Sequence, residues 1–216
     1  MGINELAHLK FSTDEIDVDL DNLPSQGGLI IPPPQPGVYR FRIPHGIAKG
    51  LDTFQTDSGQ RVEMKFRDDL ALLNVSLNQP YPTRITNQER AIGKDGAKAS
   101  DMAFLLDALD IKPKTSTNKG YAEAMLQAQG MEFVAFSDLT ARCNPKTDVY
   151  KSDEGKIEGL KGCGAAYATR SYTKKDGTLV TQIPKTSEGT FATEFECSCG
   201  ALLRCFGGLS KFRAAE

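Results

Sequence analysis

Histidine is scarce in this chain, and that scarcity narrows the chemistry first. The two histidines, His8 and His45, stand in no metal-binding spacing such as HExxH. Both are expected at the surface, and no catalytic residue is assigned. Phosphate-cradling loops are missing as well. GKDGAKAS (93–100) leads toward a helix without the order of a P-loop, GGLSKF (207–212) fails the same way, and GxGxxG does not occur. Asp68-Asp69 is a lone acidic pair, expected to be solvated. No apolar run approaches the ~18 residues of a membrane-spanning helix. The first fifteen residues hold acids and no apolar signal core, so a cytoplasmic, membrane-free protein is expected.

The chain has 216 residues, 39% of them hydrophobic and 25% charged, which suits one packed domain. Its net charge of −2 hides an asymmetry: residues 141–216 carry 12 Lys and Arg against 9 Asp and Glu. Five acids crowd between Asp14 and Asp21. With PSQGG and IPPPQP behind them, residues 1–36 read as an acidic, proline-rich arm. Residues 37–216 read as the folded domain.

At Val38 the pattern turns to period two. Tyr39, Phe41 and Ile43 point one way, and Arg40 and Arg42 the other, as in a half-buried strand with a basic outer face. Val62, Met64 and Phe66 repeat the alternation behind a DSG turn. Leu73, Val75 and Leu77 make a third strand, which two prolines between Asn78 and Thr83 end. Ser100 is placed to cap a helix with the stripe Met102, Leu105, Leu106 and Leu109. Thr117 or Asn118 caps a second, closed by Gly130. Short strands return at Met131–Phe136, Leu139–Cys143, Ala165–Tyr172, Leu179–Ile183, Phe191–Cys197 and Ala201–Phe206. The order is mainly β with a helical insert, an α+β class. It fits an OB-like five-stranded Greek-key barrel with a cysteine-rich insertion.

All five cysteines lie between residues 143 and 205. Cys197-Ser198-Cys199-Gly200 is a tight knuckle whose glycine lets backbone amides turn toward thiolates. Cys163 sits between two glycines, and Cys143 precedes Asn144-Pro145 at a strand end. Cys143, Cys163, Cys197 and Cys199 can build a tetrahedral structural zinc site within a module spanning 143–205. Free buried thiols and disulfides are the alternatives. Cys205, in an apolar strand, is the spare.

Basic and aromatic residues are interleaved on the strands. Arg40 and Arg42 share one face; Tyr81 and Arg84 follow the third strand. Tyr150 lies between Cys143 and Cys163. Arg170 and Tyr172 share a face beside Lys174 and Lys175. A cationic groove with tyrosines on which bases stack suits single-stranded nucleic acid. The plain alternative is that these residues only solubilise sheet faces.

Three segments, PPPQPGVYRFRIP (32–44), SDMAFLLDALDIKPKT (100–115) and FECSCGALLRCFGGLSKF (195–212), carry a resemblance. In layout the chain resembles the single-stranded DNA-binding proteins encoded in bacteriophage replication and recombination regions. The resemblance implies sequence-independent binding of exposed strands without turnover, single-stranded DNA and replication or recombination proteins as partners, and the host cytoplasm as location. Members often end in an acidic tail, whereas the acids of this chain lie near its start. The other expectations are a zinc-stabilised protein-interaction module, either inhibitor or adaptor, and a metal-dependent nuclease.

Overall fold

The computed structural model describes residues 31–56, 59–66, 70–88, 100–151 and 155–215. His8, the acids at 14–21, Asp68-Asp69 and all but the last residue of GKDGAKAS lie outside them. Six strands come first: β1 (Gly37–Arg42), β2 (Leu51–Thr56), β3 (Gly59–Phe66), β4 (Leu72–Asn74), β5 (Gln79–Tyr81) and β6 (Thr83–Gln88). Two helices follow, α1 (Asp101–Ala108) and α2 (Asn118–Gln127), then the long strand β7 (Glu132–Arg142). Shorter strands are β8 (Asp148–Lys151), β9 (Gly155–Lys161), β10 (Ala166–Ala168), β11 (Tyr172–Thr173), β12 (Leu179–Gln182), β13 (Glu194–Glu196) and β14 (Leu202–Arg204), and β15 (Phe206–Ala214) ends the order. No helix among the described residues is long and apolar enough to cross a membrane.

The mainly β class with a two-helix insert is as expected. Among the described residues, however, no closed barrel forms. One eight-stranded sheet runs β11-β12-β10-β7-β1-β4-β5, with β15 also paired to β7. β2-β3-β6 form a second sheet, and β8-β9 and β13-β14 are separate hairpins.

β7 organises the large sheet. β1 pairs with its first half and β10 with its end, while β15 runs along its other edge. The sequence pattern splits β7 at Ser137-Asp138 because two polar residues interrupt the apolar run. The strand continues through them. Ser137 is fully buried with its hydroxyl 2.9 Å from that of Tyr81, and Asp138 falls on the outward side of the pleat. The third expected strand is shorter than its pattern. It stops at Asn74, turns through Asn78 at φ 49°, and returns as β5, where Pro80 is tolerated on the sheet edge.

Ser100 and Thr117 cap the two helices, each hydroxyl accepting a backbone N–H, from Ala103 and Gly120. Asn87 of β6 bonds both Ser100 and the buried Asn118, tying the two helix starts to the second sheet. The inner faces of both sheets and the helices enclose one core. Phe41 lies at its centre, 5.1 Å from the Tyr81 ring and 5.5 Å from that of Phe133. Met64, Leu72, Leu105 and Met125 pack around it at full burial. A second cluster, around Leu139, Tyr167, Ile183 and Phe195, lies beneath the cysteines. Residues 31–36 of the expected arm are not separate from this end: Gln35 exchanges two hydrogen bonds with the backbone of Phe191.

Candidate metal centre and the open sheet face

Two loops of different origin reach the same geometry. In the first, Cys143 ends β7 and its N–H donates to the Ala165 carbonyl at 2.9 Å, while the Gly164 N–H donates back to the Cys143 carbonyl at 2.8 Å. In the second, the Cys197 N–H donates to Ala201 at 2.8 Å and the Gly200 N–H returns to Cys197 at 2.8 Å. Gly164 and Gly200 hold φ of 85° and 79°, a left-handed conformation that glycine adopts without penalty. The shared tripeptide is Cys-Gly-Ala, at 163–165 and 199–201.

The nineteen residues that separate Cys143 from Cys163 are an inserted hairpin, β8-β9, whose base closes tightly. A Cβ on Gly162 would lie 2.5 Å from the Asn144 carbonyl oxygen, so only glycine brings the chain back beside Cys143. The unusual spacing thus conceals a second knuckle.

The knuckles face each other. Cys143 Sγ lies 3.7 Å from Cys199 Sγ, and Cys163 Sγ 3.4 Å from Cys197 Sγ. All four sulfurs fall within 4.8 Å of one another. A tetrahedral ion with metal–sulfur bonds of ~2.3 Å sets its sulfurs ~3.8 Å apart, so the site fits one metal ion with four thiolate ligands. All five cysteines are free thiols. Cys205 stands apart from the four. Its thiol donates to the Ala192 carbonyl at 3.3 Å, and burial pushes it up to about 11.

Outer contacts already orient the sulfurs. The Cys163 N–H points at Cys143 Sγ at 3.2 Å, and the Tyr167 hydroxyl donates to Cys197 Sγ at 3.4 Å. Burial alone would raise the Cys197 thiol; the Tyr167 hydroxyl and the Cys199 N–H outweigh it and lower it to about 6. Cys143 is pushed the other way, to about 12, by burial and its thiol neighbours. The two thiols are thus pushed in opposite directions by their surroundings, and each must lose its proton to ligate a metal ion.

Among the described residues the outer face of the large sheet is exposed in part, although Val180 and Ala168 on it are buried, and the strand register shows what stands there. Glu132, Val134, Phe136, Asp138, Thr140 and Arg142 alternate outward along β7. Arg42, Arg40 and Val38 pair with Glu132, Val134 and Phe136. On the other edge Arg213, Ser210 and Phe206 pair with Val134, Phe136 and Thr140. Arg142 is joined through Ala166 and Val180 to Tyr172. Arg40, Arg42 and Tyr172 therefore share one face, with Arg142, Arg213, Phe136 and Phe206 added. The signal for Phe136 and Arg142 was the period-two run 132–142, which the sequence pattern divides at Ser137-Asp138.

Other expected contact residues fall elsewhere. Tyr81 corrects its assignment: it is 1% exposed, packed on Phe41 in the core, and offers no ring to a base. Arg84 lies on β6 of the second sheet, 3.6 Å from the buried Glu63. Tyr150 is exposed on β8, in the hairpin between Cys143 and Cys163. Arg170, Lys174 and Lys175 are exposed around the β11-β12 hairpin. Arg42 and Arg40 both reach Glu132, at 2.9 Å and 3.6 Å, so part of their charge is already answered.

Fold and site define the class: a mainly β protein with a four-cysteine centre able to hold a metal ion. No family model, curated protein or solved structure matches the chain.

Proposed function

We propose that the chain binds single-stranded DNA without turnover, on the outer face of the large sheet, and that its four cysteines hold a structural zinc ion. The observation that carries this reading is the register-enforced gathering of Arg40, Arg42, Arg142 and Arg213 with Phe136, Phe206 and Tyr172. Cations spaced along a strand meet phosphates; rings between them offer surfaces on which unpaired bases stack. An open sheet suffices, so the function does not require an OB barrel. Four thiolates fill a tetrahedral zinc completely, which makes the ion a brace rather than a reaction centre. A role in phage replication or recombination follows the layout resemblance described above.

The test is fluorescence anisotropy of a labelled strand of ~30 nucleotides at several salt concentrations, with the matching duplex in parallel. Binding tighter for the single strand, with a steep salt slope, is expected. Arg40→Ala with Arg42→Ala should weaken binding for every sequence and reduce the slope by about 2. Glu132→Gln should act oppositely and tighten it. Absence of binding by folded, metal-loaded protein overturns the reading. It would favour a protein-interaction surface, for which Val38 and Phe206, 67% and 64% exposed on the same face, are the supporting observation.

A further inference from the structure

The open face contains one feature that phosphate binding does not explain, an acid among cations. Asp138 projects from the middle of β7, in register with Gly208. Both of its hydrogen bonds go to Oδ1, from the Leu139 N–H at 2.9 Å and the Thr169 hydroxyl at 2.8 Å. The carboxylate is thereby fixed, with Oδ2 left to accept. A Cβ on Gly208 would meet nothing within 4 Å, so the space beside the carboxylate is open. Phe206, two residues before Gly208 on the same side of β15, walls one end of this space. The Phe136 ring, with Lys211 Nζ 5.2 Å from its centre, walls the other. From Thr140, opposite Phe206, to Phe136 is four residues of β7, about 14 Å of strand.

We infer that this trough is a base slot. It takes one unpaired base stacked on Phe206, and Asp138 Oδ2 accepts a hydrogen bond from that base's exocyclic amino group. The inference rests on the single-strand reading above and adds a preference within it. A carboxylate repels the phosphate backbone, so the strand lies with its phosphates toward the flanking arginines and a base toward Asp138. Cytosine and adenine present an amino donor and thymine does not; aspartate to cytosine N4 is a favourable pairing by geometry.

The experiment compares oligo-dC and oligo-dT of equal length, about eight nucleotides, near neutral pH and at one salt concentration. Parent protein, Asp138→Asn, Phe206→Ala and Phe206→Trp are measured side by side. Asparagine keeps an oxygen for Leu139 and Thr169, so the sheet is preserved. The ratio of dC to dT affinity should fall on the order of fivefold in Asp138→Asn. Phe206→Ala should weaken both oligonucleotides alike. The chain has no tryptophan, so Phe206→Trp places a single reporter whose emission should be quenched by either oligonucleotide but not by an abasic strand. An unchanged dC:dT ratio in Asp138→Asn, or unquenched Phe206→Trp in a protein that still binds, overturns the slot and leaves the single-strand reading standing. No binding of any oligonucleotide by the parent overturns both.

Discussion

The two ends of the molecule are stabilised by different means. Around Phe41, large side chains meet at full burial, from both sheets and both helices. Fully burying each such side chain is worth roughly 1.5–3 kcal/mol, and ring pairs add to that. Around Tyr167 the cluster is thinner. Its members include Ala141, Ala201, Cys143, Cys197 and Cys205, and Val149, Phe195 and Leu203 keep 8% exposure. The strands there are two to four residues long, apart from the β8-β9 hairpin, which is mostly exposed. The first end is held by burial, whereas the second has less of it, and its facing knuckles could add a cross-link by holding a metal ion.

The sharpest break of this comparison is removal of the metal. Cys197→Ser, or a strong chelator, should reduce bound zinc well below one per chain. Apparent binding energies of structural zinc reach ~10–16 kcal/mol in small domains, as large as the burial energy of such a cluster. Hydrogen exchange should then show lost protection across 143–205, while amides of β1, α1 and the first half of β7 stay protected. Equal loss at both ends would mean that the metal end is not a separate cooperative unit.

What the sequence made legible follows from where its signals were local. Ser100 and Thr117 announce the helices because a cap and a stripe lie within a few residues. The four cysteines were legible by clustering alone. The mirror relation of the knuckles was hidden by the hairpin inserted after Cys143, although the repeated Cys-Gly-Ala was in plain view. Long-range requirements were not legible. Apart from Phe206, β15 lay beyond the last expected strand, in the GGLSKF stretch weighed only as a phosphate loop. In the fold Gly207 is required: an added Cβ there would collide with the buried Tyr81 ring. Tyr81 was misassigned for the same reason, since nothing beside it in sequence points to Ser137, its partner across the core.

Alkaline pH sharpens the comparison with a smaller effect at the robust end. Burial raises the Tyr81 phenol from 10.0 to about 12, against the opposing help of its bond to Ser137. A raised acid holds its proton more tightly when folded. Its stabilising contribution is therefore complete below pH 10 and is lost as pH rises through about 12. Two units correspond to about 3 kcal/mol. Tyr81→Phe should abolish that portion of the alkaline decline in urea-unfolding free energy. At neutral pH it should cost about 1 kcal/mol, because the Ser137 hydroxyl loses its partner. An alkaline profile identical in the variant would remove Tyr81 from the account.

The smallest expected effect separates the spare cysteine from the ligands. Cys205 lies in the thin cluster, 5% exposed, and its thiol is raised by burial from 9.0 to about 11. It thus stays protonated at neutral pH and resists alkylation while the end is folded. By the same linkage as Tyr81, its contribution is present below pH 9 and is lost as pH climbs through about 11, so the metal end should begin its alkaline decline first. Cys205→Ala should keep one zinc per chain, cost about 1 kcal/mol for the vacated volume, and lessen that decline. Metal analysis with pH-dependent melts reads both quantities. Loss of zinc in Cys205→Ala would place Cys205 among the ligands. Retention, beside the zinc-poor Cys197→Ser, assigns the metal-binding role to the two knuckles and leaves Cys205 as part of the small core beneath them.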